Sequence, residues 1–203
     1  MNRLYLGPGL AAALWAVVFA LNPLNFWIEI TTATLIIAGF AIYAGRGDLK
    51  TLFFYRSGVI IAGVAGTIFL YVIFVIGAWI SRELLPFAHE QIGSIYEIRN
   101  LAPRWVVVLL LAAIIAPAEE IFWRGYVQST FAFRFGDVRG WLLMSAAYAL
   151  VHIWSWNFML VASALVCGLS WGYLFYRFKS LLPCVISHVL WDLAVFVYYP
   201  ILK

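Results

Sequence analysis

Charge is what this chain has least of. Of its 203 residues only 11% are charged, 66% are hydrophobic, and the mean hydropathy is +0.97. Soluble domains run nearer about half apolar and about a quarter charged, so the composition excludes a soluble globular fold. The formal charge of +4 is spread thinly, with no dense basic tract, which excludes nucleic acid as a partner and leaves the charge as a topology signal. Cysteine is scarce as well. Cys167 and Cys184 lie in apolar segments without a Cys-x-x-Cys spacing, so they read as free, buried thiols acting as small apolar residues. There is no His-Glu-x-x-His segment, the compact mark of helical zinc proteases. Internal repeats and low-complexity tracts are missing too.

What is abundant is long apolar runs with aromatic ends. Aromatics make up 18% of the chain, including ten Trp, as expected of residues that anchor at two membrane interfaces. Stretches of about 15–25 nearly uncharged residues mark membrane-spanning helices. They fall near 5–22, 27–45, 57–80, 104–134, 140–155, 157–176 and 181–201. The fold class is therefore all-α, a polytopic transmembrane bundle of about seven to eight helices. The first run lacks a small-x-small cleavage site and is long enough to span, so it reads as an uncleaved helix. Asn22-Pro23, Gly136-Asp137, Ser155-Trp156-Asn157 and Lys179-Ser180 supply the turns. With the N-terminus inside, Arg3, Arg46, Lys50, Arg56, Arg134, Arg139, Arg177 and Lys179 fall on the inner side, against Arg82, Arg99, Arg104 and Lys203 outside. That asymmetry favours the N-terminus in. The connection from Ser81 to Pro103 mixes Glu83, Glu90 and Glu97 with Leu84, Ile92 and Ile95; it reads first as a plain surface connection and second as an interfacial amphipathic helix that could serve as a lid.

Against this background Glu119 and Glu120 stand out, side by side in an apolar run with Arg124 following. A charge near the bilayer centre costs about 2.5–3.5 kcal/mol or more, and such residues usually face a bundle interior and function there. Glu120 and Arg124 are i,i+4, on one helix face in the favourable order for an ion pair. Glu119, about 100° further round, is left as the free carboxylate. If 104–134 and 140–155 form a hairpin turning at Asp137, Glu119 lies eighteen residues before the turn and His152 fifteen after it. At about 1.5 Å per residue these depths differ by about 4–5 Å, so a carboxylate and an imidazole on facing helices can share a water and take its proton. In the last run His188 and Asp192 are again i,i+4. Two of the three histidines thus fall inside membrane segments with carboxylates nearby, while His89 in the long connection reads as incidental.

Glu119, His152, His188 and Asp192 would also make a ligand set for zinc, since imidazole and carboxylate both suit it. A metal-free site with no cofactor is the first reading and zinc the second. A third possibility is a proton-coupled carrier using Glu119, His152 and Asp192 as a relay. No repeat symmetry or broken helix pair supports that carrier.

Taken together, Glu119-Glu120-Ile121-Phe122-Trp123-Arg124, Tyr148-Ala149-Leu150-Val151-His152 and His188-Val189-Leu190-Trp191-Asp192 resemble the CPBP family of CAAX-protease and bacteriocin-processing membrane proteins, which includes the type II CAAX prenyl endopeptidases. That family carries Glu-Glu-x-x-x-Arg, Phe-x-x-x-His and His-x-x-x-Asn or Asp on membrane helices. The resemblance covers about residues 104–200. It implies an intramembrane, glutamic-type endopeptidase acting on a membrane-associated or lipid-anchored protein or peptide. Glu119 with His152 would activate water, His188 with Asp192 would stabilise the oxyanion, and Glu120 with Arg124 would support them. Residues 104–203 would then be the catalytic core and 1–103 the N-terminal helices and interfacial connection of one integrated membrane domain. A non-catalytic scaffold or bacteriocin-immunity factor is the alternative within the same fold. Tyr148 stands where Phe is commoner, a mild change between aromatic packing residues. Asp192 stands where many members have Asn, and an ionised Asp only accepts hydrogen bonds. A short chain without a soluble domain fits the cytoplasmic membrane of a prokaryote.

Overall fold

In the structure, a computed structural model describing residues 3–45, 52–55 and 57–201, the apolar runs are helices and the expected turns separate them. Arg46, Lys50, Arg56 and Lys203 of the charge asymmetry lie outside the described residues. Eight helices organise the rest. α1 is Arg3–Ala16, continued by a wider π-helical turn Val17–Leu21. α2 is Phe26–Ala44 and α3 is Val59–Leu84. α4 is Ala88–Glu97, extended by a 3-10 turn Ile98–Leu101. α5 is Arg104–Phe135, α6 Asp137–Val151 with a 3-10 turn His152–Ser155, α7 Phe158–Phe178, and α8 Leu182–Tyr198.

α2, α3, α5 and α7 are long and apolar enough to cross a membrane, and Tyr5–Leu21 and α8 are shorter apolar helices. α5, at about 1.5 Å per residue, is about 48 Å long, more than the ~30 Å hydrocarbon layer. α3 is the most outward of the long helices. It exposes Ile60, Ile61, Ile68, Phe69 and Trp79, a surface far more apolar than a soluble monomer presents. The molecule is an all-α transmembrane bundle.

The turns follow local chemistry. Asn22 and Lys179 adopt left-handed conformations at helix ends. Asn25 caps α2 by accepting from the Trp27 N–H, and Asn157 caps α7 by accepting from Leu160 N–H. Gly136, at φ 87°, makes the turn from α5 to α6 in a conformation that a Cβ would strain. Four residues on, a Cβ at Gly140 would collide with the backbone of Ala132, so glycine there lets the two arms of the hairpin touch.

α6 packs against both α5 and α7, and α8 against α3. Trp15, Ile37, Leu70, Phe122, Trp123 and Trp171 are fully or almost fully buried in one continuous core that joins α1 and α2 to the later helices. The connection after α3, read first as a plain surface segment, contains the helix α4. It is strapped down rather than loose. Asn157 Nδ2 donates to Gln91 O at 2.8 Å and Ser94 Oγ at 3.2 Å, Met159 N–H donates to Gln91 Oε1, and Trp27 Nε1–H donates to Ile98 O.

Candidate active site

The glutamate pair sits on a helix whose regularity is interrupted on both sides. π-helical turns occupy Leu111–Ile115 and Ile121–Gln128, leaving Ala116–Glu120 as a short α-helical piece between them. Pro117 has no N–H to give to the preceding turn, and the wider turn before it accommodates that loss. π insertions are frequent at functional sites because they rotate the side chains that follow.

Glu120 and Arg124 are both fully buried. As their spacing predicts, Arg124 Nη1 donates to Glu120 Oε1 at 2.9 Å. The guanidinium lies 5.0 Å from the Tyr148 ring centroid and 5.3 Å from that of Trp171, so its charge is also met by two aromatic faces. Glu120 Oε1 has a second partner that the spacing did not reveal: His188 Nδ1, from α8, at 2.7 Å. Glu120 is therefore the common partner of two helices' cationic or donor groups, more than a counter-ion for its own helix. His188 stacks on Trp171 with centroids 3.7 Å apart. Its other nitrogen, Nε2, stands 3.6 Å from Asp192 Oδ2, beyond hydrogen-bonding distance.

Glu119 is held differently. Tyr148 donates its phenolic O–H to Glu119 Oε2 at 2.9 Å, and Oε1 takes no hydrogen bond among the described residues. Tyr148, expected as an aromatic packing residue, packs its ring against Trp123 and His152 and in addition binds, through its hydroxyl, the carboxylate expected to do the chemistry. His152 ends α6. Its Nδ1–H donates to Tyr148 O at 2.7 Å, and its Nε2 accepts from the Trp15 indole N–H at 3.2 Å. A carbonyl can only accept and an indole can only donate, so this pairing fixes the neutral Nδ1–H tautomer. Trp15, Phe19 and Tyr148 surround the imidazole with rings.

Glu119, Tyr148, His152, His188 and Asp192 all line one cavity of about 340 Å³. Glu120 and Arg124 lie behind that wall. The rest of the lining is largely apolar, from Phe19, Trp27, Phe74, Ile95, Met159 and Phe196 among others. Every helix from α1 to α8 contributes, α4 through Ile92, Ile95 and Tyr96. His89 is exposed on α4 and takes no part. Cys167 and Cys184 are buried and free.

The donor set does not fit a metal as it stands. Among the described residues no group of three His, Cys, Asp or Glu side chains is arranged to hold one. Both ring nitrogens of His152, and Nδ1 of His188, are already in hydrogen bonds.

Sequence reasoning missed Trp15 and the hydroxyl role of Tyr148. The Tyr-for-Phe departure was a usable signal for the second. Nothing in the first helix's own pattern marks Trp15.

Neither a curated protein nor a solved structure matches the chain. The family model for type II CAAX prenyl endopeptidase Rce1-like proteins matches residues 100–194, a span that runs through the glutamate pair, His152, His188 and Asp192. The matched segment supplies α5, α6, α7 and most of α8, the helices that carry Glu119, His152, His188 and Asp192, and over it the chain is similar to the type II CAAX prenyl endopeptidase Rce1-like proteins.

Proposed function

We propose that the chain is a glutamic-type intramembrane endopeptidase in which Glu119 activates water in the cavity, with no metal or other cofactor. The similarity to type II CAAX prenyl endopeptidases supports membrane proteolysis in general; the mechanism is our reading of the site. The observation that carries it is the division of the glutamate pair. Glu119 lines the cavity with one oxygen unengaged among the described residues, while its neighbour Glu120 is sealed behind the wall by Arg124 and His188.

Glu119 Oε1 takes a proton from water while the water oxygen adds to the scissile carbonyl carbon. The carbon–nitrogen bond then breaks, the proton held by Glu119 passes to the leaving amine, and a carboxylic acid and an amine result. His152 shares the water by exchanging the Trp15 N–H at Nε2 for a water hydrogen. With Nδ1–H of His188 committed to Glu120, the imidazolium form of the ring offers Nε2–H as the donor to the oxyanion. Asp192, 3.6 Å from Nε2, faces that edge of the ring as a nearby charge without a hydrogen bond to it. Preorganised donors of this kind contribute about 2.7–4 kcal/mol each to acyl-transfer transition states. The apolar lining favours a protein or peptide substrate held at the membrane by an apolar anchor.

The test is cleavage of a fluorogenic peptide ending in a farnesylated cysteine motif by purified protein in lipid nanodiscs. Glu119→Gln and His152→Ala each abolish turnover, at least a hundredfold, while the variants stay folded by circular dichroism. Full activity in Glu119→Gln overturns the reading.

A further inference from the structure

The geometry points to Tyr148 as a positioning residue that holds both halves of the water-activating pair, gripping Glu119 with its hydroxyl and His152 with its backbone carbonyl. The inference rests on the reading of Glu119 as the base and adds what fixes it.

Two hydrogen bonds leave one residue in opposite senses. The phenolic O–H donates to Glu119 Oε2 at 2.9 Å, and the Tyr148 carbonyl accepts from His152 Nδ1 at 2.7 Å. The first bond crosses from α6 to α5; the second stays within α6, one turn along. Together they connect the carboxylate and the imidazole through a single residue.

The hydroxyl is rigidly placed. The Tyr148 ring meets Trp123 edge-on at 5.2 Å and His152 at 5.1 Å, and Arg124 lies 5.0 Å from its centroid. Residues in this state have lost their rotamer freedom to packing, so a bond made by the O–H confines whatever it holds. A glutamate has three rotatable bonds, and anchoring Oε2 is what leaves Oε1 aimed at the cavity rather than turned to the nearby Arg124. Phenylalanine at 148 would keep the ring, the cation–π contact and the backbone bond to His152. It would remove the grip on Glu119 alone. Tyr148 acts through Glu119 and so is a positioning residue, distinct from the groups that meet the substrate.

Two measurements on Tyr148→Phe, with Glu119→Gln beside it, decide the matter. The first needs no substrate: infrared spectra in nanodiscs identify the Glu119 carboxyl band as the one lost in Glu119→Gln. That band moves in Tyr148→Phe if the hydroxyl holds Glu119, and an unmoved band overturns the inference. The second is turnover of the farnesylated peptide. Tyr148→Phe lowers kcat about tenfold to a hundredfold with KM within twofold, the pattern of a lost transition-state interaction. A purely structural role would lower thermal stability and leave the kcat-to-KM split unmoved. If Glu119→Gln is inactive while Tyr148→Phe keeps the wild-type kcat, the positioning role fails and the Glu119 reading stands. If Glu119→Gln keeps full turnover, the Glu119 reading fails, and the catalytic part of this inference with it.

Discussion

Trp15 donates its indole N–H to Nε2 of His152 across 137 positions of the chain, joining the first helix to the cavity wall. The bond occupies the one nitrogen of His152 that could face a water, since Nδ1–H is already given to Tyr148 O. Helix α1 lies outside the segment the family model matches, yet it sets the state of a residue inside it.

Replacing Trp15 with Phe tests what that bond does. A neutral buried hydrogen bond contributes about 0.5–1.5 kcal/mol net, and water in the cavity can take over at Nε2. The expected outcome is a loss of stability within that range and a turnover change under tenfold. Trp15→Ala instead empties a fully buried indole site and should cost about 3–5 kcal/mol. Chemical unfolding in mild detergent separates the two. Loss of all turnover in a folded Trp15→Phe protein would make the indole itself part of the chemistry.

The buried Glu120–Arg124–His188 cluster gives a second prediction. Removing one member of a buried pair leaves an uncompensated charge and typically costs about 3–5 kcal/mol, whereas removing both together costs much less. Arg124→Met should therefore destabilise strongly. The double variant Glu120→Gln with Arg124→Met should recover part of that loss, giving a coupling energy above about 1 kcal/mol in a double-mutant cycle. Additive effects would mean the pair contributes little, despite its 2.9 Å separation and complete burial.

Much of this was legible before any coordinates. The Glu120–Arg124 pair needed only one helix and its i,i+4 geometry, and the turns at Asn22, Gly136 and Lys179 declared themselves by residue type. The depth match between Glu119 and His152 needed one hairpin, and both now line the same cavity. The Glu120–His188 bond was hidden because it depends on how α5 is rotated against α8, and π turns on either side of the glutamates change that rotation. The Trp15 bond was hidden for a different reason: helix-to-helix packing, rather than spacing within a helix, selects the partner. The hydroxyl of Tyr148 was visible as a departure from the commoner Phe, but its target was not.

Asp192 yields a third prediction from a distance. At 3.6 Å, Asp192 Oδ2 makes no hydrogen bond to His188 Nε2, and an ionised carboxylate there offers the oxyanion no donor. Asparagine keeps the shape and adds an N–H₂ group. Asp192→Asn should keep kcat within about threefold or raise it, and Asp192→Ala should lower it by about tenfold or more. Measured turnover of the farnesylated peptide orders the three proteins. If Asp192→Asn is as inactive as Glu119→Gln, the carboxylate has a role that orientation of His188 does not explain.

The last prediction concerns α4 and the cavity it borders. Asn157 does three things: it caps α7 through Leu160 N–H, and its amide donates to both Gln91 O and Ser94 Oγ on α4. Asn157→Ala removes the cap, at about 1 kcal/mol, and leaves Met159 N–H to Gln91 Oε1 as the bond that still ties α4 to the start of α7. Asn157→Asp keeps a capping oxygen but lacks the amide donor, so it separates the two effects. Both variants should speed amide hydrogen exchange across Ala88–Glu97, because local opening follows the loss of the straps. Asn157→Ala alone should also loosen the first turn of α7. Since Ile92, Ile95 and Tyr96 line the cavity wall, weaker holding of α4 should raise KM for the farnesylated peptide severalfold and leave kcat nearly unchanged. A change confined to kcat would place the effect on the proposed catalytic groups instead of on the helix that borders the cavity.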